Sequence, residues 1–105
     1  MNYNEMSDFE INKVVAEALN KSRGDGSELE AMFAESLSNS AENGRFNPCN
    51  NPNDAWPIIV ESRISVCPWK DPMWHSYSSN TKIRHPDKNP LRAAMIVYLK
   101  MKGVL

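Results

Sequence analysis

One stretch, residues 46–59, constrains the fold of this chain more than any other because it is dense in residues that restrict the backbone. Its fourteen positions contain three prolines, four asparagines and one tryptophan. Proline fixes its own φ and keeps the preceding residue out of the helical region, so Asn47 before Pro48 and Asn51 before Pro52 should be extended. Asn side chains close such turns onto nearby backbone groups. The stretch therefore predicts a rigid turn that leads into a helix.

The start of that helix can be placed in two registers. With Asn51 as the N-cap, Pro52 takes the favoured first helical position, but Pro57 then lies deep enough to remove a helical hydrogen bond. With Asp54 as the N-cap, Pro57 takes the third position, where its missing N–H removes no bond. We favour the second register. In both registers, three apolar residues share the helical face that we expect to meet the core: Trp56, Ile59 and Val60.

Length and composition indicate one globular domain over residues 1–105. Of the 105 residues, 41% are apolar and 24% are charged, and two cores within this length would each be marginally stable. No run of about eighteen apolar residues and no basic leader before an apolar segment is present, so we expect a cytoplasmic protein without a membrane partner. Cys49 and Cys67 are not spaced as a metal-binding pair, and we expect free thiols, no metal and no cofactor.

Charge is divided unevenly along the chain, although the net charge is only −1. Residues 1–62 contain eleven acids and four bases, a net −7, whereas residues 63–105 contain two acids and eight bases, a net +6. The simpler interpretation is that the two halves attract each other across the fold. The alternative is that the basic half binds a partner that carries phosphate.

Two segments in the first half have helical patterns. Ser7 and Glu10 have the spacing of a capping box, and apolar residues recur at i, i+3, i+4, i+7 and i+8 in the segment that follows. We expect a helix over residues 8–19 that packs on the core. A second capping box precedes a pattern that predicts a helix over residues 28–38. Its polar flanks would equally suit a variable, loosely attached insertion over residues 20–45.

The last segment of the chain predicts a third helix with well-defined ends. Asn89 is a strong N-cap, Pro90 suits the first helical position, and Gly103 suits the C-cap. Residues 91–102 are apolar on most sides of the helix. A helix of this kind should be covered by other elements on both sides.

Three short segments between the helices have strand patterns. Residues 63–67 alternate polar and apolar side chains, and Pro68 either ends this strand or marks a sheet edge. Residues 73–78 form the second candidate strand. Residues 81–85 form the third, which we expect to stop at Pro86. The fold class predicted is α+β: a small antiparallel sheet of about three strands packed between helices, because such a sheet is stable only when it is covered.

Three blocks of sequence together resemble one known family. Residues 6–19 carry MSDFEINK and VAEAL, residues 46–65 carry FNPCNN, DAWPII and IS, and residues 88–97 read KNPLRAAMIV. They look like the NinX family of lambdoid phages, and more distantly the ABA-sandwich domains of phages, in which a small sheet lies between helical layers. The resemblance implies phage or prophage origin and an intracellular setting, and it implies no known reaction.

The family blocks contain signature residues, which we interpret as structural. They are Asn47, Pro48, Cys49, Asn50, Asn51, Asp54, Trp56, Asn89 and Pro90. A catalytic cysteine needs a base, and neither His75 nor His85 lies in a recognisable motif with Cys49. All four glycines are isolated, so no phosphate-binding loop is present. We therefore expect that the protein is not an enzyme.

Binding has more support than catalysis. Residues 69–77 combine aromatic rings, which can stack on bases, with nearby cations, which can neutralise phosphate. The simpler alternative is that these rings fill the covered face of the sheet. A protein interface would use the same residue types. The candidate binding residues are Trp69, Trp74, Tyr77, Lys82, Arg84 and His85.

These observations together predict a phage accessory protein that binds a host or phage macromolecule. The leading expectation for the partner is a protein, and a nucleotide or single-stranded nucleic acid is the alternative. A second hypothesis is a small-ligand binder that sequesters a nucleotide-type signal of host antiphage defence. Loss of binding without loss of stability on substitution of the aromatic residues would distinguish binding roles from core packing.

Overall fold

The computed structural model describes residues 3–22, 37–79 and 82–103, which form the predicted α+β fold. A short 3-10 turn, Tyr3–Glu5, comes before the first helix. The helices are α1 (Asp8–Ser22), α2 (residues 37–42), α3 (Pro52–Glu61) and α4 (Pro90–Met101). The strands are β1 (Ile64–Pro68), β2 (Trp74–Ser78) and β3 (Arg84–Asp87), and they form one antiparallel sheet in the order β1-β2-β3.

Helix α1 begins where the capping box predicts. The Glu10 amide donates to Ser7 Oγ over 3.1 Å, and the Ser7 hydroxyl lies 3.3 Å from Glu10 Oε1. This arrangement satisfies an amide that the first turn of a helix leaves without a partner. The predicted apolar face is confirmed, since Ile11, Val15 and Ala18 are buried. The helix runs three residues beyond its predicted end at residue 19.

Helix α2 is followed, two residues after its end, by a glycine in the left-handed conformation. Of the helix predicted over residues 28–38, residues 28–36 lie outside the described residues, and the described part continues to residue 42. Gly44 has φ +75°, a value that costs little without a Cβ. The amides of Arg45 and Phe46 then donate to the Ser40 carbonyl over 2.8 and 3.0 Å. These bonds turn the chain directly into the Asn-Pro stretch.

The favoured start of α3 was wrong, because Asn51 and not Asp54 is the N-cap. The Asn51 side chain accepts from the Asn53 amide over 3.0 Å, and Pro52 occupies the first helical position. The Asp54 carboxylate is used elsewhere, since it accepts from the Asn47 amide over 2.9 Å. Pro57 lies inside the helix, and the bond that it removes is the one to the carbonyl of exposed Asn53, where water can replace it.

The face of α3 that meets the core also differs from the prediction. Trp56 is 63% exposed and Val60 is exposed as well, so of the three predicted residues only Ile59 is buried. The buried face consists of Ala55, Ile58 and Ile59. Apolar residues surround most of this helix, so their spacing did not select one side. The small Ala55 side chain is the one that fits beneath the neighbouring elements.

Helix α4 lies at the centre of the molecule. Asn89 caps it and Pro90 is its first residue, as predicted; the C-cap is Lys102, and Gly103, which was predicted for that position, follows it with φ +68°. Every residue from Ala93 to Leu99 is buried, because α4 packs against α1 and α3 on one side and all three strands on the other. The expected helix-sheet-helix layering therefore has a different order, in which the covered middle layer is α4 and the sheet is an outer layer.

The strands pair in a simple meander whose ends differ from the prediction. Ser65 lies opposite Tyr77, and His75 lies opposite both Cys67 and Pro86. Pro68 ends β1, which is an edge strand, as predicted. The third strand, expected at residues 81–85, is instead Arg84–Asp87, and it includes Pro86. An edge strand tolerates proline because half of its N–H groups have no partner strand.

The contrast between two apolar residues of α3 gives a test of this packing. Ile59→Ala should lower the free energy of unfolding by about 2–4 kcal/mol because it leaves a cavity beside α4. Trp56→Ala, although it removes a larger side chain, should change it by less than about 0.5 kcal/mol because the ring is exposed. Urea unfolding followed by circular dichroism measures both. Comparable losses in the two variants would contradict the observed face.

Candidate binding face and buried polar cluster

Side-chain amides hold the Asn-Pro-Cys turn against α1. The buried Asn12 side chain donates to Asn47 Oδ1 over 2.7 Å, and its own Oδ1 accepts from the Cys49 amide over 3.1 Å. Asn50 Nδ2 donates to Asn47 Oδ1 and to Asp8 Oδ2, each over 3.1 Å. A buried amide without a partner would be costly, and these pairings remove that cost.

Asn89 connects the same turn to the start of α4. Its Oδ1 accepts from the Leu91 and Arg92 amides over 3.0 and 3.3 Å, which is the usual role of an N-cap. Its Nδ2 donates to the Cys49 carbonyl over 2.6 Å. One side chain thus caps the central helix and also binds a backbone group forty residues earlier.

Arg92 gathers four acceptors from three parts of the chain. Its side chain is 12% exposed, and its Nε lies 3.1 Å from Asp87 Oδ2 while its Nη1 lies 2.6 Å from Asp8 Oδ1. Its Nη2 donates to the carbonyls of Tyr3 and Met6 over 2.9 and 2.6 Å. Burial alone would lower the pKa of Arg92, but the hydrogen bond with Asp8 and the charge of Asp87 raise it above its usual value.

Cys49 lies inside this polar cluster as a protonated thiol. The residue is fully buried, and burial, followed by the negative charge of Asp8, raises the pKa of Cys49 to about 12. Nucleophilic catalysis by cysteine requires the thiolate. At neutral pH this thiol therefore behaves as a small apolar side chain that fills the turn.

The sheet has one face covered by α4 and one face directed away from it. Lys100 of α4 contacts His85 of β3, and Arg92 of α4 contacts Asp87 of β3, so the side chains on the same face as these two are covered. The strand register assigns alternate residues to the other side. We call this other side the open face; its residues are Ser65, Cys67, His75, Tyr77, Arg84 and Pro86.

Three aromatic rings form a row on the open face. Trp69 extends the β1–β2 pairing, since its amide donates to the Met73 carbonyl over 3.1 Å, and its ring centroid lies 5.7 Å from that of His75. The His75 ring lies 5.8 Å from that of Tyr77. The interplanar angles are 36° and 43°, so the rings are not stacked face to face. Trp69 is 55% exposed and Tyr77 is 37% exposed.

Cations border this row. Lys70 Nζ lies 5.9 Å from the centroid of the Trp69 ring, within the range of a cation–π contact. Arg84 is exposed and lies directly opposite Tyr77 in the sheet. Between residues 63 and 88 the acids are Asp71 and Asp87, and Asp87 is paired with Arg92. The open face therefore has a local excess of positive charge.

The structure divides the binding residues predicted from the sequence. Trp69, Tyr77 and Arg84 lie together on the open face, and exposed Lys82 comes shortly before β3. Trp74 and His85 lie on the covered face. Alternation along β2 separates Trp74 from Tyr77, and the same alternation could have identified His75, which the prediction did not include. Nothing in the sequence pattern indicated that Arg92 would be the centre of the polar cluster.

His85 is 7% exposed and belongs to the packing beneath the sheet. Its Nδ1 lies 3.2 Å from Lys100 Nζ, so Nδ1 accepts from the ammonium and Nε2 carries the proton of the neutral ring. Among the described residues, Nε2 has no hydrogen-bond partner. Burial, together with the positive charge of Lys100, lowers the pKa of His85. The neutral ring is thus the form that the fold accommodates.

Replacing Arg92 tests how strongly the polar cluster stabilises the fold. Arg92→Met leaves two carboxylates and two carbonyls without their donor, and it should lower the free energy of unfolding by about 3–5 kcal/mol. The accessible ion pair between Lys13 and Glu42 is the control, since Lys13→Met should cost less than about 1 kcal/mol. Urea unfolding at pH 7 measures both. A loss below about 1 kcal/mol for Arg92→Met would mean that the cluster contributes little.

The lowered pKa of His85 predicts a loss of stability in mild acid. The unfolded histidine takes up a proton near pH 6.5 whereas the folded one resists it, so stability should fall below pH 6.5 with a slope approaching about 1.4 kcal/mol per pH unit. The loss stops growing below the folded pKa. His85→Gln should flatten this part of the profile, while His75→Gln on the open face should retain it. Urea unfolding between pH 7 and 4.5 provides the comparison, and identical profiles for both variants would exclude His85 as the cause.

Two kinds of feature are absent from residues 3–22, 37–79 and 82–103. None of their helices combines the length and the apolar character that a membrane span needs, and no three of their His, Cys, Asp or Glu side chains are grouped to hold a metal ion.

Comparison with known proteins assigns the chain to a family. Neither a curated protein nor a solved structure matches the chain. The family model described as "Bacteriophage P22, NinX" matches residues 2–102. The match covers nearly the whole sequence, and the chain therefore belongs to the NinX family of bacteriophage proteins.

Proposed function

We propose that this protein acts by binding a host or phage macromolecule through the open face of its sheet, and not by catalysis. Membership of a phage family supports the broader role of a phage accessory protein. The observation that carries the proposal is the row formed by Trp69, His75 and Tyr77, which lies on the sheet face directed away from α4 and is bordered by Arg84 and Lys70.

A purely structural role explains this row less well than a binding role does. Exposed apolar residues are common on protein surfaces, and Trp56 and Val60 on α3 are two of them. Three rings that are neighbours in space and lie beside cations form a more specific arrangement than isolated exposed residues do. Tryptophan, tyrosine and arginine are also the residues that contribute most to binding energy in interfaces.

The buried groups support a role without catalysis. Burial raises the pKa of the Cys49 thiol, whose backbone is hydrogen-bonded to asparagine side chains. His85 lies beneath the sheet on the face opposite the aromatic row. A nucleophile and its base need to be within hydrogen-bond reach of each other. Among the described residues, Cys49 forms hydrogen bonds with the side chains of Asn12 and Asn89 and with no histidine.

A small nucleotide is the second candidate ligand. Tyr77 and Arg84 lie opposite each other on adjacent strands, and this pair alone could hold one base and one phosphate. Such a ligand would fit a protein that sequesters a nucleotide signal of host defence. Thermal-shift measurements with mononucleotides and cyclic dinucleotides test it, because a ligand that binds the folded state raises its melting temperature.

Site-specific photo-crosslinking in the bacterial host tests whether the open face binds a macromolecule. A benzoylphenylalanine at position 77 of the full chain should form a macromolecular adduct on irradiation, because that side chain would contact the partner. The same group at position 56, on exposed α3, is the matched control and should form none. Treatment of the adduct with nuclease or protease then identifies its class.

A charge reversal makes the result specific to this face. Arg84→Glu should reduce the adduct at position 77 at least about tenfold if the partner is anionic, since an opposed charge replaces a complementary one. The melting temperature should change little because Arg84 is exposed. Adducts at position 56 alone, or equal adducts at both positions, would overturn the proposed binding face.

A further inference from the structure

We infer that the partner of the open face is single-stranded nucleic acid, with bases stacked on the aromatic row and phosphates bound by the adjoining cations. This inference rests on the proposed function and specifies the class of its partner. Single-stranded DNA and RNA present the same stacked bases and phosphates, so both are included.

The spacing of the rings suits successive bases of an unpaired strand. Trp69, His75 and Tyr77 follow one another at centroid separations of 5.7 and 5.8 Å. Because the rings are tilted and not stacked on each other, each keeps part of its surface for another ring. Open sheets in RNA-binding proteins use a comparable set of aromatic residues to stack two or three bases.

The charges of the described residues direct a polyanion to this face. The described acids of the first half lie on the helical elements and their connections, for example Glu10 and Glu17 on α1 and Glu61 on α3. The sheet region from residue 63 to residue 88 has five bases and two acids, a net +3. A polyanion is therefore repelled from the helical side and attracted to the sheet side.

The composition of the open face favours nucleic acid over a protein partner. Buried centres of protein interfaces are mostly apolar. The open face has serine, cysteine, histidine, tyrosine, arginine and proline, and none of the residues that the strand register assigns to it is an aliphatic leucine, isoleucine, valine or methionine. Aromatic stacking and cations are the two components that sequence-independent binding of single strands requires.

Binding of labelled oligonucleotides to the full chain tests the inference. Fluorescence anisotropy with a (dT)12 and a (rU)12 strand should show saturable binding at 50 mM salt. Affinity should weaken with salt, and contacts from Arg84, Lys70 and Lys82 would give a log–log slope of about −2 for single strands. A 12-base-pair duplex should bind more weakly, because its bases are already stacked and paired.

Matched tryptophan variants distinguish aromatic stacking from electrostatic attraction of the phosphates. Trp69→Ala should weaken binding about tenfold, whereas Trp69→Phe should restore most of it because a ring remains. Trp56→Ala, at a tryptophan of similar exposure, should leave the affinity unchanged. Arg84→Gln should make the salt slope shallower by about 0.7, the contribution of one phosphate contact. Poly-glutamate, which has charge without bases, should compete poorly.

The outcomes separate this inference from the proposed function. Absence of binding by both strands at 50 mM salt, or equal effects of Trp69→Ala and Trp56→Ala, overturns the inference. So does effective competition by poly-glutamate, which would indicate attraction of charge alone. If neither oligonucleotide binds while position 77 crosslinks to a protein, the partner class is wrong but the proposed binding face is retained. If position 77 forms no adduct and neither oligonucleotide binds, both the proposed binding face and the inferred partner class are wrong.

Discussion

The packing of the chain's two ends against each other depends on the hydrogen bonds of one largely covered guanidinium, that of Arg92. Arg92 belongs to the last helix, yet its acceptors come from the first residues of the chain, from α1 and from the last strand. Burying an unpaired charge would cost more than most proteins of this size can offset. The four acceptors must therefore be in place together, and this requirement fixes α1 and β3 around the start of α4.

The asparagine and proline residues of the turn complete the same cluster. Asp8 accepts from Arg92 and from Asn50, and Asn89 both caps α4 and donates to the Cys49 carbonyl. The turn, α1 and α4 consequently share one set of hydrogen bonds. With α4 held at the centre, its opposite side is left for the sheet, and the outer side of that sheet becomes the open face. The stabilising cluster includes Asp87 on the covered face of the sheet, so the cluster and the proposed binding face lie on opposite sides of the sheet.

Local signals in the sequence predicted the N-terminal caps of α1 and α4 correctly. The capping box of α1 and the pair Asn89 and Pro90 at the start of α4 appear as predicted, because each depends on hydrogen bonds within a few residues. Gly103 lies one residue beyond the C-cap of α4, which is Lys102. The start of α3 was misplaced for a related reason. Asp54 is a good N-cap in isolation, but here its carboxylate accepts from Asn47, a residue of the preceding turn.

The sequence by itself determined the type and order of the helices and strands, the family and the uneven distribution of charge. Caps, periodicity, family blocks and charge counts can all be recognised from residues that are close together in the chain. Only the tertiary structure decided which sides of those elements face each other. The sequence led us to expect Trp56 in the core and Trp74 among the binding residues, but α3 buries Ala55 in place of Trp56, and strand alternation places Trp74 on the covered face of the sheet. The same folding placed Trp69, His75 and Tyr77 in one row. The orientation of an apolar side chain depends on how closely two elements can approach, and that is a property of both elements together.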